Sequence, residues 1–86
     1  MVTESPATTP PAGELRDRAA ALHTDADLMD EYARRLRAAA TTLEGCAVAP
    51  GWSRSALEQQ ATACGTAAEQ LRTAAEALLA HVRAGG

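Results

Sequence analysis

From Leu15 to Leu43 the chain repeats one spacing, four residues then three, without a miss, and from Leu57 to Val82 it does so again. In the first segment Leu15, Leu22, Met29, Leu36 and Leu43 form one column and Ala19, Ala26, Ala33 and Ala40 the other. In the second, Leu57, Cys64, Leu71 and Leu78 alternate with Ala61, Ala68, Ala75 and Val82. Apolar residues recurring every 3.5 positions draw a stripe along an α-helix, and a stripe sustained over several heptads requires another helix to lie against. The pattern therefore predicts two long helices that pack on each other through one large and one small column apiece.

The flanks of the pattern predict where each helix starts and stops. Residues 1–10 are rich in Pro and Thr and read as a disordered tail, and Pro10 and Pro11 suit the opening of a helix, where an amide donor has no partner anyway. Helix one is expected over about 11–44, with Gly45 as its stop. Glu14/Arg18, Asp30/Arg34 and Glu31/Arg35 lie four apart with the acid first, each pair adding roughly 0.2–0.5 kcal/mol to an exposed helix. Residues 45–54 read as a loop, because Pro50-Gly51 suits a tight reversal and Ser55 with Glu58 forms a capping box that opens helix two over about 55–83. Gly65 falls off the seam and costs that helix about 1 kcal/mol relative to Ala.

A short connection between two helices of similar length makes an antiparallel hairpin, here a single domain over 11–84. The expected register sets Leu43 near Leu57, Leu36 near Cys64, Met29 near Leu71 and Leu22 near Leu78. Alanine supplies about a quarter of the chain, Phe is absent and the total is 86 residues, so one seam of small side chains gives a thin core. That shortage predicts a larger assembly, a pair of hairpins forming a four-helix bundle. Leu28 and Tyr32 on helix one, and Leu79 with Ala67 and Ala74 on helix two, lie outside the seam and are the candidate second interface.

Several function classes fall away on charge and spacing. A net charge of -3 and the scarcity of aromatic residues do not suit a nucleic-acid surface, and no apolar run is long enough to span a membrane. Cys46 and Cys64 are not in a C-x-x-C arrangement, and His23 and His81 belong at the other end of the hairpin, so neither metal nor cofactor is expected. The acids Asp25, Asp27, Asp30 and Glu31 wrap around one helix rather than converging, and no nucleophile-base set is visible, so the chain reads as non-enzymatic. Cys64 lies on the seam as a small apolar filler while Cys46, beyond the helix stop, is expected to be the more exposed. In the stated register the two cysteines are not opposite each other; a loop that folds back would join them in a disulfide.

One residue is out of keeping with all this: Trp52, the only Trp, placed at the turn in Pro50-Gly51-Trp52-Ser53. Its plain use is to cover Leu43 and Leu57 at the end of the hairpin. A Trp at the turn of a small helical hairpin also resembles the WXG family exported by type VII secretion systems, over about residues 12–84. The resemblance implies a two-helix hairpin that pairs into four-helix homodimers or heterodimers, exported folded and without a classical leader, with the Trp turn displayed to a partner or to the secretion machinery. The N-terminal MVTESPATTPP has neither the basic start nor the apolar stretch of a signal peptide, in keeping with leaderless export. In this chain Gly51 precedes the Trp, and Ser53 and Arg54 follow it; His81–Gly86 lacks the family's Tyr with an acid four residues on. The resemblance then implies a partner that supplies the signal. All eight basic residues are Arg, which with the Ala excess fits a GC-rich, actinobacterial type of genome. The competing expectation is a cytoplasmic helical adaptor, chaperone or antitoxin-like regulator that never leaves the cell.

Overall fold

The computed structural model describes residues 10–85. The expected tail falls outside the described residues except for Pro10. Two α-helices account for nearly all the rest: α1, Ala12–Glu44, and α2, Gly51–Arg83. Each has 33 residues, about 50 Å at 1.5 Å per residue, and the two pack side by side as an all-α antiparallel hairpin. The shortest dimension of the molecule is 13 Å, little more than one helix with its side chains, so the fold is a single layer.

Ion pairs between the helices report the register. Arg72 on α2 reaches Asp27 at 2.8 Å and Asp30 at 2.7 Å on α1, His23 meets Glu76 at 3.4 Å, and Arg54 meets Glu44 at 3.3 Å. These levels put Met29 beside Leu71 and Leu43 beside Leu57, as the spacing predicts; a slip of one heptad would move each pair about 10 Å apart.

The core is made by the small column. Ala19, Ala26, Ala33 and Ala40 of α1 and Ala61, Ala68 and Ala75 of α2 are buried, none more than 3% exposed. Among the large column only Leu15 is buried, while Leu22, Met29, Leu36, Leu43, Leu57, Cys64, Leu71 and Leu78 are half-buried. Methyl-sized contacts let two helix axes approach toward the short end of the usual 8–10 Å range. At that spacing the leucines have no room between the axes and lie to one side of the contact.

The helix ends differ from expectation in three ways. Helix α1 does stop before Gly45, yet this glycine has φ -91°, not the left-handed conformation of a glycine stop; its amide donates to the Thr42 carbonyl at 3.3 Å, and the Cys46 amide donates to Leu43 at 3.0 Å. The last turn simply tightens. Helix α2 begins at Gly51, four residues ahead of Ser55, so the connection is residues 45–50 and Trp52 and Ser53 are helical. Pro50, with φ -59° and ψ 142°, leads in, and the Ser53 amide donates to its carbonyl at 3.0 Å. The Ser55–Glu58 capping box is unused because it needs a non-helical residue at Ser55, which lies inside α2. At the far end Gly85 adopts φ +85° and donates to Val82, a left-handed close that glycine alone makes without strain.

Candidate functional site: the two faces and the turn

In heptad terms the buried alanines occupy position a and the large column position d. Around the helix, e and b lie on one side of a, and d and g on the other. The cross-helix pairs use only the first side of the contact for His23, Asp27, Asp30, Arg72 and Glu76, which all sit at e or b. An antiparallel pair is related by an approximate two-fold axis normal to its plane, so the e and b sides of both helices share one flat face. The d and g sides share the other.

The first face is polar and cross-linked. Arg72 lies between two aspartates, and hydrogen bonds to Asp27 and then Asp30 hold its guanidinium above its ordinary pKa. The same contact alters the pairing expected along α1. Glu14 does pair with Arg18 and Glu31 with Arg35, but Arg34 pairs with Glu31 because Asp30 is turned toward Arg72. The acidic group thus divides: Asp27 and Asp30 clamp α2, and Glu31 serves its own helix.

The second face is the more apolar of the two. It carries the half-buried d row of both helices, and its α1 edge bears Leu28 and Tyr32, 59% and 56% exposed, between the charged Arg18, Asp25 and Arg35. Its α2 edge is Gln60, Ala63, Ala67, Gln70, Ala74 and Ala77, without a single charge. Leu79 departs from the grouping expected for it. It shares the heptad position of Arg72, seven residues earlier, and so is half-buried on the polar face; the structure does not bring it together with Leu28 and Tyr32. Of the uncharged edge of α2, the heptad pattern alone singles out only Ala67 and Ala74. Its signal is the missing charge at c and g positions from Gln60 to Ala77.

At the turn, the register sets Glu44, the last residue of α1, level with Ala56, so residues 51–55 of α2 overhang by about 7 Å. Trp52 sits on that overhang and is 72% exposed, and Val48 in the connection is 90% exposed. It does not cover Leu43 and Leu57, because α1 has already ended where the indole stands. Gly51 and Pro50 are exposed and Ser53 is half-buried. Arg54 holds the overhang to Glu44, and with Leu43, Cys46, Ala49, Pro50 and Gly51 it lines a polar, open cleft.

Cys46 and Cys64 are both free thiols and both half-buried, so the structure forms no disulfide between them. Cys64 shares the partial exposure of its d row, and Cys46 is sheltered in the cleft. His23 faces Glu76 and His81 is exposed, and the described residues hold no group of three metal-ligating side chains. No polar or charged side chain is buried among them. No helix among the described residues is long and apolar enough to cross a membrane.

What this arrangement offers chemistry is surface: one apolar plane, one ion-paired plane, and an indole raised at one end. No family model, curated protein or solved structure matches the chain.

Proposed function

We propose that this hairpin is a non-enzymatic binding protein that lays its apolar face on another small helical chain, as a WXG-like component or substrate of a type VII secretion system. The observation that carries the reading is the half-buried d row, Leu22 through Leu78, on a fold one layer thick. A contiguous, partly exposed apolar row of this kind suits an interaction site, and covering it would supply the burial a thin Ala core lacks. The raised Trp52 on its short Pro-Gly lead supports the secretion reading, because an exposed indole unsupported by its own fold is placed for a partner.

A second reading, a cytoplasmic adaptor, chaperone or antitoxin-like regulator using the same face, is favoured by two features. Ser53 and Arg54 follow the Trp where the family has its glycine, and His81–Gly86 carries no export tyrosine. Comparing culture filtrate with lysate separates the two. With the secretion system active, the first reading expects the chain in the filtrate together with its partner; detection in lysate alone would sink it.

A further inference from the structure

The turn end of the hairpin is a charge-free cap. From Gly45 to Ser53 no side chain is charged, and within that stretch Ala47, Val48, Gly51 and Trp52 are exposed, Val48 and Trp52 by 90% and 72%. We propose that this cap docks into the interfacial layer of a lipid bilayer, with the hairpin standing on its turn and Val48 and Trp52 inserted. This docking is separate from the binding reading above and leaves the d row, along the side of the hairpin, free for a helical chain.

Depth, side-chain chemistry and charge all fit a lipid surface. The overhang of residues 51–55 carries the indole about 7 Å past the last residue of α1. Apolar surfaces that lie in a bilayer without crossing it enter the boundary between headgroups and acyl chains by about 5–10 Å. An indole, with its apolar rings and single N–H, is among the side chains best suited to that boundary.

The charges behind the cap are balanced. Glu44 and Arg54, the first to follow it, pair at 3.3 Å and so arrive at headgroup level as a neutral couple. Arg37 and Glu58 come next, again one of each sign. The acidic group of α1 begins only at Glu31, thirteen residues before Glu44 and about 20 Å along the helix, more than twice the Debye length of about 8 Å at physiological salt. Lipid charge therefore neither draws the cap in nor holds it off, and the docking is apolar. A protein pocket would need polar groups to fix its orientation on the cap. Besides the indole N–H, the cap offers one hydroxyl, on Ser53, and that residue is half-buried.

Trp52 is the only Trp, so its emission reports the cap directly. The full chain titrated with phosphatidylcholine vesicles should shift its emission to the blue, with a dissociation constant on the order of 1 mM lipid, the value two buried side chains of this size support. Lipids brominated near the top of the acyl chains should quench the indole more than lipids brominated near the bilayer centre. Val48→Asp keeps the indole and, at so exposed a position, the fold, and it should weaken binding about tenfold or more. Raising the salt from about 0.05 to about 0.5 M should change binding by less than about twofold. Emission unmoved at about 5 mM lipid overturns the docking. So does a Val48→Asp chain that binds as tightly as the native one, and so does binding that needs phosphatidylserine or is lost in high salt. Each of these failures leaves the d-row reading standing, because the comparison of filtrate with lysate involves no vesicle.

Discussion

At Ala68 the side chain is a single methyl with no exposed surface, and the register sets it near the level of the buried Ala33 across the hairpin. Size at such a position is set by the distance between helix axes, so Ala68→Leu should cost about 1–3 kcal/mol, read as a fall in the thermal midpoint. An unchanged midpoint would mean that the helices do not meet there. Trp52 is the opposite case. It is large and mostly exposed, so Trp52→Ala should leave the midpoint within the roughly 0.5 kcal/mol expected of a surface change, while on the proposed secretion reading it should reduce recovery of the chain in culture filtrate. A large loss of stability would put the indole back over the end of the hairpin. The residue types made the two columns legible, but not which column would be buried. A heptad pattern says that a and d face inward between them, whereas a hairpin with one neighbour buries fully only the column nearest the contact. That is why Cys64, in the d row, is half-exposed rather than sealed.

The two helices show how far local signals reach. Period and breakers placed α1 within a residue, since Pro11 and Gly45 bound an unbroken stripe. The start of α2 lies ahead of the local signal: Ser55 and Glu58 carry the letters of a capping box, while Pro50 with its preset φ admits the chain to a helix four residues sooner. Ser55→Ala therefore should not lower stability. A cap in use would cost about 1 kcal/mol on removal, and such a fall in a denaturant titration would return the helix start to Ser55. Gly65 gives the complementary test. A Cβ built there meets nothing within 4 Å, so Gly65→Ala should stabilise α2 by about 0.5–1 kcal/mol, a rise of several degrees in a domain this size. A decrease would mean that something approaches the backbone at that position.

For the molecule as a whole, the uneven treatment of its two faces is the governing fact. Alanines hold the hairpin closed, ion pairs tie one plane across it, and the larger apolar side chains are left half-buried on the other plane. The division was within reach of the sequence once charge was read by heptad position, because Asp27, Asp30, Arg72 and Glu76 all fall at e and b while α2 has no charge at c or g between Gln60 and Ala77. The overhanging turn was not, since it follows from a difference in helix ends that only the coordinates give. An isotope-filtered NOE spectrum of the protein in the helical assembly proposed above, which records contacts between chains alone, tests this division most directly. The methyls of Leu22, Met29, Leu36, Leu71 and Leu78 should appear in it, and those of Ala26, Ala33, Ala68 and Ala75 should be confined to the unfiltered spectrum. Alanine methyls touching across chains, with the leucines silent, would contradict the account.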